Sequence, residues 1–231
     1  MPNLFSYIVK HDGGAAPNPF WSVCTLTICK PTIRRTAKVG DWIIGTGSKN
    51  SRLKDGKIHD LSGCLVYAMK VTAIKSLAEY DAYCQKRLKK KMPNWFSKDW
   101  RRIIGDCIYD YSGGPEPKLR RGVHTEENRR RDLSGQHALL STHFYYFGEE
   151  PRAIPKELKA IVKKSQGHLK IENPELVAPF LKWIEKFKKN KLYADPQLRW
   201  KFGRVSTDEV VMECSKEHLK EDKRDVEKVV C

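Results

Sequence analysis

The chain has 231 residues, of which 40% are hydrophobic and 31% are charged, and its formal net charge is +16. This apolar content excludes a wholly disordered protein, and the length suits one large domain or slightly more. No apolar run approaches the roughly 18–20 residues that cross a bilayer, and residues 1–10 lack a signal-peptide layout, so we expect a cytoplasmic protein with no membrane partner. The positive charge favours a polyanionic partner, with nucleic acid ahead of a membrane surface.

The seven cysteines are odd in number and irregularly spaced, which is not the pattern of a disulfide framework. We expect reduced thiols, several of them buried as small hydrophobic side chains.

In the first part of the chain, the sequence pattern predicts short strands separated by polar loops. Leu4–Val9, Trp42–Gly45 and Leu65–Val71 are predicted strands, whereas Val23–Ile28 is too short for its periodicity to decide between strand and helix. The sequence from Ser76 to Glu79 is a capping box, which predicts a helix from about residue 77 to residue 90.

The second part begins with an irregular, arginine-rich and glycine-rich stretch over 94–132, followed by strand character at Ala138–Ser141 and Phe144–Phe147. The last third is predicted to be helical, with Pro155 at the start of one helix and Asn173-Pro174 at the start of another. A charge-dense tail follows Ser215. Short strands followed by helices, without regular alternation, indicate the α+β class: a compact β-barrel with helices packed around it.

Known catalytic and metal motifs are missing from the sequence. The Gly45–Lys49 loop lacks the spacing of a phosphate loop, and no nucleophile elbow or paired-cysteine zinc signature is present. We therefore expect no metal and no cofactor, and find no positive argument for catalysis. A nucleophilic pair of Cys29 with a histidine stays open, because such partners meet only in space.

Two aromatic clusters are candidates for stacking on a base. Asn18, Phe20 and Trp21 end the first loop, and Tyr145 and Tyr146 follow a predicted strand end at Ser141. Aromatic faces stack on bases, while amide and hydroxyl groups can hydrogen-bond a base edge. Alternation along a strand should bury about half of the second cluster, so we expect Phe144 or Phe147 in the core, and Trp42 is also predicted to be a core residue.

Basic residues near these clusters are candidates for holding phosphates. They fall in the segment before the Trp42 strand and in the arginine-rich stretch. The predicted phosphate-binding residues are Lys30, Arg34, Arg35, Arg120, Arg121, Arg129, Arg130 and Arg131.

Five segments resemble the prokaryotic nucleotide modification associated domain family, in its second type. They are APNPFW, CKPTIRRTAKVGDWIIGTGS, LVYAMKVT, IGDCIYDY and RRRDLSGQHALLSTHFYYFG, and they span about residues 3–150. The family is linked to DNA base hypermodification systems. A wider similarity to PUA-like barrels of the EVE, ASCH and YTH kind implies a pocket for a modified or flipped base. By position, Thr46 and Ser48 would join the candidate base-contacting residues in that pocket.

The resulting hypothesis is a nucleic-acid-binding module that recognises a modified or flipped base, in DNA rather than RNA. Residues 1–150 would form the PUA-like domain, with a basic insert over 86–132, and residues 151–231 a helical C-terminal extension packed on the barrel. One alternative is an enzyme acting on a nucleotide or base, with Cys29, His143 or Asp132 as polar groups. Another is a PUA-like RNA-binding protein. The sequence does not indicate an oligomeric state.

Overall fold

The computed structural model describes residues 1–165, 167–199 and 227–230. The strands are β1 (Leu4–Val9), β2 (Cys24–Leu26), β3 (Trp42–Gly47), β4 (Ser51–Arg52), β5 (Ile58–His59), β6 (Cys64–Lys70), β7 (Ala73–Ser76), β8 (Tyr109–Asp110), β9 (Lys118–Leu119), β10 (His137–Ser141), β11 (His143–Tyr146), β12 (Arg152–Ala153), β13 (His168–Ile171), β14 (Lys191–Leu192) and β15 (Glu227–Val230). The α-helices are α1 (Pro31–Thr36), α2 (Leu77–Arg87), α3 (Trp100–Ile103), α4 (Glu126–Ser134) and α5 (Pro174–Ile184), and Lys89–Lys91 and Lys156–Ile161 form 3₁₀-helices.

The main sheet has the strand order β14-β11-β6-β3-β1-β13-β15, with β12 also paired to β6. Its centre is mixed, because β1 pairs with β3 in parallel and β3 pairs with β6 antiparallel. A second sheet has the order β2-β10-β7. The α+β class is confirmed. Over the described residues the end strands β14 and β15 do not pair with each other, so the main sheet is open rather than a closed barrel.

The main sheet is buried on both faces. On one face, Trp42 and Tyr145 pack against α5, with Phe180 of that helix in edge contact with the Trp42 ring. The other face carries Tyr7 and Tyr146 in a cluster that also holds Cys24, Leu26 and Leu139 from the second sheet. The predicted core position of Trp42 is confirmed, as is the burial of Phe144 and Phe147.

The predicted helix starts follow their capping signals. The Ser76 side chain accepts the Glu79 amide hydrogen while Glu79 accepts that of Ser76, and Asn173 caps α5 by accepting from the Glu175 amide at 2.8 Å. Helix α2 ends at Arg87, earlier than predicted, and the following lysines form a 3₁₀ turn. None of the helices in the described part of the chain is long and apolar enough to cross a membrane.

The segment after residue 150 differs from the predicted helical extension. Strands β12, β13 and β14 pair with β6, β1 and β11, so this segment completes the main sheet and contributes α5 to one of its faces. These strands have two to four residues, which is too short for a periodic signal in the sequence. The charged tail predicted after Ser215 lies outside the described residues, apart from the backbone of β15.

Candidate functional site

The side chains predicted to contact a base mostly lie inside the protein. Tyr145 and Tyr146 point to opposite faces of the main sheet: Tyr145 packs beside Trp42, and the Tyr146 hydroxyl donates to Asp12 Oδ1 at 2.5 Å. Thr46 is buried and donates to the Tyr7 carbonyl at 3.2 Å. In this conformation these groups contribute to the core.

Two further predicted residues are held by short local hydrogen bonds. The hydroxyl of Ser141 donates to the His143 carbonyl oxygen at 2.7 Å, and the side chain is fully buried. Ser48 is half-buried, and its hydroxyl accepts from the Asn50 amide at 3.2 Å in the turn that follows β3. Both serines therefore stabilise local chain turns.

Asn18 belongs to a buried polar network that joins the first loop to the basic insert. The Lys91 ammonium donates to the Asn18 carbonyl at 2.7 Å, to its Oδ1 at 2.8 Å and to Thr25 Oγ1 at 2.8 Å. The side-chain amide of Asn18 in turn donates to the carbonyl oxygen of Ile104 at 3.0 Å. Burial lowers the pKa of Lys91, although the nearby Asp106 carboxylate acts in the opposite direction. The network therefore holds the start of the basic insert against the first loop.

Phe20 and Trp21 pack against the same insert. Phe20 is buried with its ring 5.5 Å from that of Trp100 in an edge contact. Trp21 is half-buried and has a φ of 65°, which is unusual for a residue with a Cβ. Lys90 Nζ and Arg101 Cζ lie 4.7 and 4.8 Å from its ring centroid, so the indole is in cation–π contact with the insert.

The cations before β3 have different environments. Arg34 is fully buried, and its guanidinium donates to the carbonyl oxygens of Cys29, Asp132 and His137. Its neighbour Arg35 is exposed and donates to the Ser134 carbonyl at 2.9 Å. In this conformation the guanidinium of Arg34 donates inside the protein and does not face solvent, so the phosphate contact predicted for Arg34 stays a prediction.

Lys30 and the arginines after residue 119 are the rest of the predicted phosphate-binding set. The Lys30 ammonium lies 4.8 Å from the centroid of the Tyr7 ring. Arg120 pairs with Asp81 at 2.7 Å and Asp110 at 3.2 Å. The guanidinium carbon of Arg121 lies 4.1 Å from the ring centroid of Trp95, and Arg129 pairs with Glu116 and Glu126. Arg130 is exposed and Arg131 is half-buried.

Residues 86–121, the first part of the basic insert over 86–132, contain eleven Lys and Arg against four Asp and Glu. Beside them lies an open groove of about 560 Å³, within the range of small-ligand sites. The groove is lined by Gln85, Lys89, Met92, Pro93, Asn94, Arg102, Asp110, Ser112 and Arg120. The lining combines the apolar side chains of Met92 and Pro93 with three cations and one carboxylate, that of Asp110, which pairs with Arg120. The excess of cations suits an aromatic ligand that carries negative charge.

A tight turn in the basic insert presents Phe96 to solvent. The amide of Phe96 donates to Asn94 Oδ1 at 3.0 Å, and the amide of Ser97 donates to the Asn94 carbonyl at 3.3 Å. The adjacent Trp95 is anchored, because its indole donates to the Arg121 carbonyl at 2.7 Å and the Arg121 guanidinium lies 4.1 Å from its ring centroid. Phe96 itself is 97% exposed.

A second arrangement joins Cys29, His124 and Asp132, which are all buried. The thiol sulfur of Cys29 lies 3.5 Å from His124 Nε2, and His124 Nδ1 lies 2.5 Å from Asp132 Oδ2. The other carboxylate oxygen of Asp132 accepts the Cys29 amide hydrogen at 3.1 Å. Cys29 lies between β2 and α1, His124 lies shortly before α4, and Asp132 lies on α4. Residues that are far apart in the sequence therefore meet here.

The hydrogen bonds around Asp132 assign the proton on His124. Burial alone would raise the pKa of Asp132, but the charge and hydrogen bond of His124, the Arg34 guanidinium and the Cys29 amide outweigh it and lower that pKa. The ionised carboxylate can only accept, so Nδ1 of His124 carries a proton. Nε2 is the ring nitrogen that faces the Cys29 sulfur.

The sequence of the chain matches the nucleotide modification associated domain 2 family over residues 1–204. The chain belongs to this family. The resemblance seen over about residues 3–150 is confirmed and extends through β14 at the edge of the main sheet. No curated protein matches the chain, and no solved structure matches it.

The groove beside the basic insert and the cluster of Cys29, His124 and Asp132 both lie within the part of the chain that matches the nucleotide modification associated domain 2 family. Over residues 1–165, 167–199 and 227–230, no group of three or more Cys, His, Asp or Glu side chains is suited to a metal ion. Cys29 and Asp132 were candidate polar groups from the sequence, but His143 was the expected histidine. His143 instead contacts the Tyr145 hydroxyl at 3.1 Å beside Trp42.

Two residues important to these arrangements were missed in the sequence. His124 lies 95 residues from Cys29, and no spacing rule relates them. Phe96 did have a signal: a Trp-Phe pair between Pro93 and Lys98 in a cation-rich stretch. Two large aromatic residues in a segment with little apolar periodicity are a reason to expect that one of them is exposed.

Proposed function

We propose that this member of the nucleotide modification associated domain 2 family is a nucleic-acid-binding module, and that the basic insert is its binding surface. The observation that carries this proposal is the 97% exposure of Phe96 on an anchored turn beside a cation-lined groove. The unstacked base would lie on the Phe96 ring. The exposed cations of the insert would hold the adjoining phosphates.

The energetics of an exposed aromatic support this assignment. Phe96 contributes nothing to the core, yet Trp95 and Asn94 hold the turn that presents it. Stacking of one base on an aromatic side chain contributes about 1–3 kcal/mol to binding, and it requires a ring that is open to solvent in the free protein. Phe96 meets this requirement, whereas Tyr146 and Phe20 do not, because both are buried.

The finer features of the proposal come from the family and from the resemblances in the sequence. We propose that the bound base carries a modification, that the polymer is DNA, and that the module acts in the cytoplasm. A base-binding pocket of PUA-like type is proposed for the groove beside Arg102 and Arg120. This groove takes the place of the pocket first expected around Asn18 and Tyr145.

The binding test uses a fluorescently labelled single-stranded DNA of twelve nucleotides and measures its anisotropy. We expect Phe96→Ala to weaken binding roughly 5- to 150-fold, which corresponds to the loss of one stacked base. Phe96→Tyr should retain affinity. Ile58→Ala is the matched control, since Ile58 is also an exposed apolar side chain but lies on β5, outside the insert. Equal affinity of Phe96→Ala and the parent protein would refute the stacking assignment.

The same assay separates the finer claims. Each phosphate contact on a single strand adds about 0.7 to the slope of log K against log salt, so a binder of this kind has a steep slope. Oligonucleotides of one sequence with cytosine, 5-methylcytosine or 5-hydroxymethylcytosine at a single position test recognition of a modification. A matched RNA tests the polymer. Steep salt dependence with equal affinity for all of these strands would leave only a general polyanion binder.

A further inference from the structure

We propose that Cys29, His124 and Asp132 form a nucleophilic triad that transfers an acyl group from an amide or ester through a thioester on Cys29. The inference is independent of nucleic-acid binding by the basic insert. It starts from the order of the three groups: the sulfur faces one ring nitrogen of His124 at 3.5 Å, and the other ring nitrogen faces Asp132 at 2.5 Å. A nucleophile, a base and a group that orients the base are the three parts that covalent catalysis requires.

The backbone at Cys29 supports a functional role. Cys29 has a φ of 59° and Lys30 a φ of 42°, so two consecutive residues with a Cβ lie in the left-handed region. Such conformations cost of order 1–3 kcal/mol each and persist where the surroundings hold them. Here Asp132 accepts the Cys29 amide hydrogen at 3.1 Å, and Arg34 Nε donates to the Cys29 carbonyl at 2.8 Å. Arg34 and Asp132 thus position the thiol against His124.

The other buried cysteines lack this environment. Cys24 lies 3.9 Å from the Met69 sulfur, and burial raises its pKa to about 12. The thiol of Cys107 lies 3.6 Å from Asp81 Oδ1, and a carboxylate is a weaker base than an imidazole. A cysteine that served packing alone would need no hydrogen-bonded His–Asp pair behind it. Cys29 is 6% exposed, so a small part of the residue reaches solvent.

The reaction balances with these groups and a water molecule. His124 Nε2 takes the thiol proton as the sulfur attacks the carbonyl carbon, which forms a C–S bond. The C–N or C–O bond to the leaving group then breaks, and His124 returns the proton to the leaving amine or alcohol. Water, deprotonated by His124, hydrolyses the thioester and restores the thiol. The Cys29 amide is occupied by Asp132 and does not bind the oxyanion, so we expect slow acylation and slow deacylation. With an activated ester, whose leaving group departs readily, acylation is the faster step and the acyl enzyme accumulates.

The test uses p-nitrophenyl acetate and the full chain. We expect a burst of p-nitrophenolate and a mass increase of one acetyl group on Cys29, located by peptide mass spectrometry. Cys29→Ala should abolish the burst. His124→Gln should slow acylation roughly 100-fold or more, which is the contribution of a general base. A burst that persists in Cys29→Ala, or acetyl groups found only on other residues, would overturn the proposal.

Alkylation with iodoacetamide at pH 7 provides a control for folding within each variant. Cys64 is more accessible than Cys29 and has no histidine partner among its described contacts, so its rate serves as an internal reference. We expect Cys29 to react at least tenfold faster than Cys64 in the parent protein. In His124→Gln the Cys29 rate should fall while the Cys64 rate stays the same, which a variant that failed to fold would not show. Equal rates at the two cysteines in the parent protein would refute an activated thiol.

Discussion

The adjacent residues Arg34 and Arg35 provide a sharp test of whether a cation in this segment holds the fold or meets a phosphate. The Arg34 guanidinium is buried and donates to three backbone carbonyl oxygens, those of Cys29, Asp132 and His137. Arg34→Met removes these donors while keeping most of the side-chain volume. The Asp132 carbonyl keeps the Gly135 amide as a donor at 3.2 Å, whereas the carbonyls of Cys29 and His137 lose the Arg34 donor. At about 1–3 kcal/mol for each of these two buried carbonyls, we expect a loss of about 2–6 kcal/mol in the free energy of unfolding.

This loss converts into a large shift in the melting temperature. For a chain of this length 1 kcal/mol corresponds to roughly 2–4 °C, so Arg34→Met should melt roughly 4–24 °C below the parent protein. Arg35→Met is the matched control, because Arg35 is exposed and makes one surface hydrogen bond; we expect a change within about 0.5 kcal/mol. Circular dichroism melts of the two variants provide the measurement. If Arg34→Met melts with the parent but loses affinity for DNA, Arg34 is a phosphate ligand and the structural assignment fails.

Three further predictions concern the same buried interactions. Gly135→Ala places a methyl group 2.3 Å from the Arg34 guanidinium carbon and should lower the melting temperature, whereas Gly113→Ala, in open space, should leave it unchanged; equal melts would contradict this. Lys91→Met removes the ammonium that donates to the carbonyl oxygen and Oδ1 of Asn18, which keep the amides of Thr25 and Phe20 as donors, and should cost about 1.5–3 kcal/mol in chemical denaturation; a loss below 1 kcal/mol would refute the network's role. Burial raises the pKa of Asp12 from 3.8 to about 6, so the folded state binds this proton more tightly than the unfolded state and stability falls as the pH rises from about 4 to 6. Compared with Asp12→Asn, the parent should lose up to about 3 kcal/mol over that range in urea titrations, and parallel curves would show that the Asp12 pKa is not raised.

Local signals in the sequence were sufficient for much of the fold. The capping box at Ser76 and the Asn173-Pro174 pair mark true helix starts, because both act through hydrogen bonds to amides two or three residues away. Trp42 could be assigned to the core from its position in a short apolar run. The strands after residue 150 could not be predicted, since His168–Ile171 becomes a strand only by pairing with β1, which lies far away in the sequence.

The candidate sites show a similar limit. Composition predicts a basic surface but does not say which cations reach it, and Arg34 and Arg35 differ completely in burial. A buried arginine needs several fixed acceptors. Those of Arg34 are backbone carbonyls up to 103 residues away, and because every residue has a backbone carbonyl, the residue types in the sequence do not identify them. Likewise, Cys29 and Asp132 were candidates by type, but only the fold brings His124 between them.

The position of Arg34 also links fold and chemistry. Its guanidinium joins the Cys29 carbonyl, at the start of α1, to the Asp132 carbonyl on α4. A small displacement of either helix would therefore change the distance between the Cys29 sulfur and His124, on which the proposed base catalysis depends. Arg34→Lys keeps the charge but can place only one nitrogen among three carbonyls. We expect this variant to stay folded at low temperature and to lose the faster alkylation of Cys29 relative to Cys64. An unchanged ratio of the two alkylation rates in Arg34→Lys would show that the thiol is positioned by Asp132 alone.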